Sequence, residues 1–133
     1  MIRDTLLAAL VLLPAFGVAA PPAAPAREDL AAGKRDAAKA TYEASFKTLR
    51  EGKGDAERVY LWSRRWMEAQ RDVSPKKADR IAALEAHRDR MKVLGKLTEQ
   101  RYKAGQCSHA DVLGVTFYIA EAELWLSEAN KAK

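Results

Sequence analysis

Four stretches of the chain carry apolar residues at the three- and four-residue spacing of amphipathic helices. They cover residues 28–50, 55–72, 75–104 and 109–130. The run from Val112 to Ile119 is rich in β-branched and aromatic residues, but it follows a helix-start signal, so it is assigned to the fourth helix. The pattern predicts an all-α domain, a four-helix bundle whose last two helices form a long antiparallel hairpin.

Each predicted helix has one apolar stripe that is expected to face the core. In the first two helices the stripes consist of Ala38, Tyr42, Phe46 and Leu49, and of Ala56, Val59, Tyr60, Ser63, Trp66, Met67 and Gln70. In the third helix the stripe consists of Ile81, Leu84, Met91, Leu94, Leu97 and Tyr102, with Arg88 and Gly95 interrupting it. Trp62 and Trp66 are interpreted as large core anchors in preference to a ligand platform.

Two helix starts are indicated by capping residues. Ser74-Pro75 is the sharper one, because serine is a good N-cap residue and proline suits the first helical position. Asp55 can cap the second helix after the glycine-containing break at residues 51–54.

Residues 101–126 combine the end of one helix, a tight turn and the start of another. Gly105 suits the position just after a helix, where positive φ is common. Ser108 and Asp111 have the spacing of an N-cap residue and its reciprocal partner, each able to bind the other's backbone N–H. We expect Gly105, Ser108 and Asp111 to be structural residues of a helical hairpin.

The fourth helix has a wide apolar face. Its stripe contains Val112, Leu113, Thr116, Ile119, Ala120, Leu124 and Leu126. Phe117, Tyr118 and Trp125 widen it further. A helix this apolar is expected to lie centrally in a bundle or to contact a partner. Phe117, Tyr118 and Trp125 are therefore a candidate interaction face, for an envelope protein or a second copy of the chain.

The N-terminal segment has the order of a secretory signal peptide: Arg3, an apolar run from Leu6 to Leu13, and small residues up to Ala20. The run is shorter than the about 20 residues of a membrane span, and Pro14 interrupts it. We expect a signal peptide at residues 1–20, a Pro/Ala linker at 21–26 and a helical domain at 27–133. An uncleaved N-terminal anchor is the alternative. The expected location is the periplasm or cell envelope, with membrane contact only through an uncleaved segment.

The chain carries a modest positive charge, with 23 basic and 18 acidic residues and a net charge of +5. The two signs are interleaved, which is typical of solvated helix faces. The segment from Trp62 to Trp66 places two arginines between aromatic residues, but the export signal argues against nucleic acid. No nucleic-acid partner is expected.

Few residues have catalytic or metal-ligating chemistry. Cys107 is the single cysteine, expected to be exposed in a turn without a pocket, and it is either free or paired between molecules. Cys107 and His109 could both touch one metal ion, but a closed site needs about four ligands, and His87 lies about 30 Å up the third helix. The carboxylates are dispersed, and no phosphate-binding glycine loop is present. We expect no catalytic residues, no metal and no cofactor.

One motif resembles a known family. It consists of Arg101-Tyr102-x-x-Gly105, then Ser108-x-x-Asp111-Val112-Leu113, and then Ala120, Ala122, Glu123, Leu124 and Leu126. This motif resembles the helix–turn–helix repeat of TolC-like outer membrane efflux proteins. The resemblance covers residues 101–126 and implies two long antiparallel helices, as in that family's periplasmic coiled-coil barrel. The chain has one copy of the motif and no alternating strand pattern for a membrane barrel. As a whole, the chain resembles small secreted bacterial helical proteins that share the hairpin.

A second resemblance is to periplasmic helical chaperones and metal-stress sensors with an LTxxQ motif. Here Leu97-Thr98-Glu99-Gln100 has one residue fewer between threonine and glutamine. We predict an exported, non-enzymatic helical protein of the bacterial cell envelope that acts through protein–protein contacts. A periplasmic helical metal-stress sensor or chaperone is the alternative.

Overall fold

The structure, a computed structural model, describes residues 16–132. This part of the chain forms four α-helices and no strand: α1 Arg27–Arg50, α2 Ala56–Val73, α3 Lys77–Lys103 and α4 His109–Lys131. The prediction of an all-α helical bundle is confirmed. Residues 16–26 are exposed and have no regular secondary structure, while residues 1–15 of the predicted signal peptide lie outside the described range. Of the helices within residues 16–132, none is apolar enough over a sufficient length to cross a membrane.

The connection between α1 and α2 depends on two glycines and one cap. Gly52 and Gly54 have φ of +86° and +73°, a region that residues with a Cβ rarely adopt. Asp55 then caps α2 as the sequence predicts, because its Oδ1 accepts a hydrogen bond from Arg58 N at 2.8 Å.

The predicted start of the third helix is wrong by two residues. Pro75 is not the first helical residue, because its carbonyl oxygen accepts from the Arg80 guanidinium at 3.0 and 3.2 Å, and α3 begins at Lys77. Ser74 does not cap the helix either. Its hydroxyl donates to Asp79 Oδ2 at 2.6 Å and accepts from Lys76 N at 3.3 Å, which stabilises the loop before the helix.

The helix α2 contacts all three other helices, while α1 packs mainly on α2 and α4 mainly on α3. The larger core cluster draws buried residues from every helix: Tyr42, Leu49, Val59, Met91, Leu94, Val115 and Ala122. A smaller cluster consists of Met67, Ala83, Leu84 and Leu126. Trp62 and Trp66 pack against the larger cluster, which confirms their interpretation as core anchors.

The apolar stripe of α3 differs from the predicted one. His87 and Thr98 are buried, so the buried seam runs without interruption through Leu84, His87, Met91, Leu94 and Thr98. Tyr102, predicted in the stripe, is 45 % exposed. Gly95 is part of the contact with α4, because a Cβ added there would lie 2.9 Å from Ile119 Cδ1.

The apolar stripe of α4 is also different. Val115, Ala122 and Leu126 are its buried residues. Four residues predicted in the stripe are exposed instead: Leu113, Thr116, Ala120 and Leu124. The prediction was wrong because α4 is apolar on two opposite faces, and periodicity alone does not say which face meets the bundle.

Candidate interaction surface

The turn between α3 and α4 has the local geometry that its sequence predicts. Gly105 has φ +71°, and its N–H donates to Tyr102 O at 3.0 Å. Ser108 Oγ accepts from Asp111 N at 3.2 Å, while Asp111 Oδ2 accepts from the Ser108 N–H and hydroxyl, both at 2.8 Å. These hydrogen bonds from Ser108 lower the pKa of the Asp111 carboxyl. All three residues have backbone roles at this corner.

Cys107 is half-buried, which corrects the prediction of an exposed thiol. Its Sγ donates a weak hydrogen bond to Thr98 O at 3.4 Å. A pocket of about 180 Å³ lies beside it, with Arg101 and Asp111 in its lining, where the sequence predicted no pocket. His109 packs on the Tyr102 ring at 5.6 Å and does not line that pocket.

Tyr118 and Trp125, two members of the candidate face, contact other helices of the bundle. The Tyr118 ring stacks on Tyr60 of α2, with 3.9 Å between centroids and 6° between planes. The Trp125 ring stacks near His87 of α3 at 6.0 Å and lies under the Arg64 guanidinium at 5.3 Å. Phe117 is the member of the set whose ring is mostly exposed, at 62 %.

A buried polar cluster joins α2 to α3. Ser63 and His87 are both fully buried, and Ser63 Oγ lies 2.8 Å from His87 Nδ1. Arg90 donates from Nε to Ser63 Oγ at 2.7 Å and from Nη2 to Ser63 O at 3.1 Å. Since arginine only donates, we infer that Ser63 donates its own hydrogen to Nδ1 and that the imidazole proton is on Nε2. Among residues 16–132, nothing forms a hydrogen bond with His87 Nε2.

Aromatic rings enclose the charge of Arg90. Its guanidinium lies 4.0 Å from the Trp66 ring centroid and 5.4 Å from that of Tyr42. Burial lowers the pKa of Arg90, which nevertheless stays protonated at neutral pH. Such stacking is favourable for a guanidinium, which is planar and more weakly hydrated than an ammonium.

His87 is neutral at neutral pH. Burial first, and then the positive charges of Arg90 and Arg64, lower its pKa to about 4. The Ser63–His87 pair superficially resembles a nucleophile and its base, but neither side chain is accessible to a substrate. Within residues 16–132, no group of three or more His, Cys, Asp or Glu side chains is placed to hold a metal ion. The cluster acts structurally, joining α2 to α3.

Sequence reasoning missed His87 as a core residue because a lone polar residue breaks an apolar pattern. The spacing carried a usable signal: Leu84, His87, Met91, Leu94 and Thr98 follow each other at three, four, three and four residues. That spacing fits one helix face better than the predicted stripe does.

The other face of α4 is an exposed apolar surface. We name Leu113, Phe117, Ala120 and Leu124 the outer stripe of α4. Leu113 is 57 %, Phe117 62 % and Leu124 56 % exposed. With about 100° between successive helical residues, the stripe is centred opposite Val115 and Ala122, the buried residues of the same helix. It runs along the helix for about 16 Å from Leu113 to Leu124.

Acidic residues dominate the charge of α4. It carries Asp111, Glu121, Glu123 and Glu128 against a single Lys131. Glu121 accepts from the Tyr60 hydroxyl at 2.6 Å, and Glu123 pairs with Lys92 of α3 at 2.8 Å. The outer stripe is thus bordered by acids on a chain that is basic overall.

Two of the larger concave surfaces elsewhere are open grooves of mixed charge. One of about 450 Å³ is lined by Glu68, Arg71, Asp72, Pro75 and Arg80. Another of about 410 Å³ lies between α2, α3 and α4 and includes Arg64, Arg71, Glu68 and Glu128. Neither presents one sign of charge, so neither selects a charged ligand.

Comparison of the chain with protein-family models, curated proteins and solved structures finds no match. The resemblance of residues 101–126 to TolC-like proteins stays a prediction from the sequence.

Proposed function

We propose that this chain is an exported, non-enzymatic helical protein of the bacterial cell envelope that acts through protein–protein contacts made by the outer stripe of α4. The observation that carries the proposal is the exposure of Leu113, Phe117 and Leu124 on the face of α4 opposite its core residues. A contiguous apolar surface of this kind typically marks an interaction site.

The helix pair α3–α4 gives that stripe a rigid base. We describe it as an antiparallel hairpin whose corner is residues 104–108. Two contacts support this: Lys92 pairs with Glu123, and Gly95, three residues later, lies against Val115 and Ile119, earlier in α4. A face on a packed helix loses little conformational entropy when it binds.

The charge of α4 favours a protein partner over lipid or nucleic acid. Helices that bind membrane surfaces carry Lys and Arg beside their apolar face. Here the polar residues around the outer stripe include Glu121, Glu123 and Glu128. Carboxylates repel anionic lipid headgroups and phosphates, so the stripe is suited to another protein.

Export is tested by fractionating the producing cells. The expected result is chain in the periplasmic or envelope fraction, with an N-terminus at Pro21 if residues 1–20 are removed. Full-length chain in the cytosol after lysis would contradict export without bearing on the contact surface.

The contact surface is tested by native electrophoresis of gently solubilised envelope extracts. Wild type is expected to migrate in a discrete assembly larger than the monomer. Phe117→Lys should release it to the monomer position, because a charge on the outer stripe is costly to bury. Val93→Lys is the matched control, since Val93 is a 51 % exposed apolar residue on α3. Equal mobility of all three proteins would contradict the proposal.

A further inference from the structure

We propose that the partner of the outer stripe is a second copy of the chain, with the two α4 helices paired antiparallel about a twofold axis. This inference rests on the proposed function and names the partner.

The spacing of the outer stripe is symmetric. Leu113, Phe117, Ala120 and Leu124 are separated by four, three and four residues, which reads the same in both directions. A twofold axis between residues 118 and 119 therefore brings Leu113 onto Leu124 of the other copy and Phe117 onto Ala120 of the other copy. A twofold interface requires such a self-complementary patch.

The side-chain sizes suit this arrangement. Antiparallel pairing places each large Phe117 ring opposite a small Ala120, so that large and small residues alternate across the contact. Parallel pairing would place Phe117 against Phe117 and Ala120 against Ala120, leaving crowding at one level and a gap at the next. Helix pairs of this kind pack side chains from one helix into spaces on the other.

Charge separates the two orientations further. In the antiparallel pair, Glu128 lies at the level of His109 of the other copy, Glu121 at the level of Thr116, and Glu123 at the level of Gly114, so no glutamate shares a level with another. In a parallel pair each of these glutamates would lie opposite itself, and like charges across such a contact are destabilising. Three of the four acids of α4 lie in its C-terminal half. Antiparallel pairing places that half beside the N-terminal half of the other copy, so these acids are kept apart.

The size of the stripe predicts a weak dimer. One face of one helix, about 16 Å long, buries less than the about 800 Å² per partner of a standard stable interface. We therefore expect a concentration-dependent dimer with a dissociation constant on the order of 10–100 μM, strengthened where the chain is concentrated in an envelope compartment.

The test uses the chain recovered from producing cells, purified alone. Sedimentation equilibrium from about 5 μM to about 1 mM should give a monomer–dimer curve in this affinity range. Phe117→Lys should weaken association at least tenfold, and Val93→Lys should leave it within about twofold. Circular dichroism with equal helicity and equal Tm in all three proteins excludes unfolding as the cause.

Orientation is read from one spin label on a Cys107→Ser, Asn130→Cys chain, because Asn130 is exposed near the end of α4. Antiparallel pairing predicts an electron–electron distance of about 35 Å between the two copies, and parallel pairing about 20 Å, because residue 130 lies on the flank of the helix that faces away from the contact. A monomer at about 1 mM, a distance near the parallel value, or equal weakening by Val93→Lys would each overturn the proposal. A monomeric purified chain that still forms a Phe117-dependent assembly in envelope extracts would overturn the second copy while leaving the proposed function standing.

Discussion

Ser63 Oγ lies 2.8 Å from His87 Nδ1 in the fully buried seam between α2 and α3. The serine is held from the other side by Arg90, whose charge is covered by the rings of Trp66 and Tyr42. This polar contact inside an otherwise apolar core makes the bundle sensitive to protonation and to the loss of single hydrogen bonds.

Acid is expected to destabilise the fold through His87. Its pKa is about 4 in the folded chain against 6.5 for an ordinary histidine. The unfolded chain therefore binds the proton first, and about 3 kcal/mol of unfolding free energy is lost as pH falls from 6.5 to 4. The charged groups facing the imidazole are Arg64 and Arg90, while Glu121 of α4 is bound by Tyr60. Chemical denaturation at a series of pH values measures how steeply the unfolding free energy falls with pH.

Two single variants isolate this effect. His87→Gln keeps a polar side chain near Ser63 but does not titrate, so its stability should be nearly flat between about pH 6.5 and 5, above the range in which the carboxyls take up protons. His109→Gln removes the exposed histidine and should keep the wild-type slope. A wild-type slope in His87→Gln would show that another group is responsible. Carboxyls with lowered pKa, such as Asp111 and Glu123, begin to lose their contributions only as pH falls towards their ordinary values of 3.8 and 4.5, which is the acid end of this window.

Arg90→Lys is expected to lower the unfolding free energy by about 1–3 kcal/mol. Lysine cannot make both bonds to Ser63 from one planar group, and it stacks less well on Trp66. Arg88→Lys, on the same helix and paired with the exposed Asp89, should cost under about 0.5 kcal/mol. Urea denaturation measures the unfolding free energy of both variants. Equal losses would show that the two hydrogen bonds of Arg90 and its stacking on Trp66 do not contribute to stability.

Two glycine-to-alanine changes are expected to alter stability in opposite directions. Gly105→Ala should destabilise by about 1 kcal/mol or more, because φ of +71° is strained for alanine. Gly33→Ala should stabilise by up to about 1 kcal/mol, since Gly33 is in α1 and an added Cβ meets nothing within 4 Å. Thermal unfolding of both variants measures the direction of each change. A stabilised Gly105→Ala protein would contradict the positive φ of Gly105.

Tyr60→Phe tests the contact between α2 and α4. It removes the hydroxyl that donates to Glu121 and keeps the ring stacked on Tyr118. A loss of about 1–2 kcal/mol is expected for a half-buried hydrogen bond to a carboxylate. Tyr102→Phe, which changes a largely exposed hydroxyl, should be near neutral in the same urea titration. If both changes are neutral, the hydrogen bond contributes nothing measurable.

Local chemistry was the predictable part of this fold. The Asp55 cap, the positive φ of Gly105 and the reciprocal bonds of Ser108 and Asp111 depend on a few neighbouring residues, so sequence spacing identifies them. Ser74-Pro75 was the exception: α3 begins two residues later, at Lys77, and the Pro75 carbonyl accepts from the side chain of Arg80, five residues further along.

Long-range packing was the part that could not be predicted. The pattern of α4 permits two apolar faces, and only its contacts with α2 and α3 decide that Tyr118 and Trp125 face inward while Leu113 and Leu124 face out. His87 is a core residue because Ser63, from another helix, supplies its hydrogen bond. The local spacing of α3 is compatible with a buried His87, but it does not show the serine that binds it, and the spacing of α4 does not show which face turns inward.

The most direct test of the outer stripe as the contact surface is a photocrosslinking scan along α4 in living cells, one position at a time from residue 110 to 128. We expect crosslink yields with helical periodicity, with maxima at Leu113, Phe117, Ala120 and Leu124 and minima at Val115 and Ala122 on the opposite, buried face. Yields that lack this periodicity, or that are no higher at the outer stripe than at Val93 on α3, would contradict it.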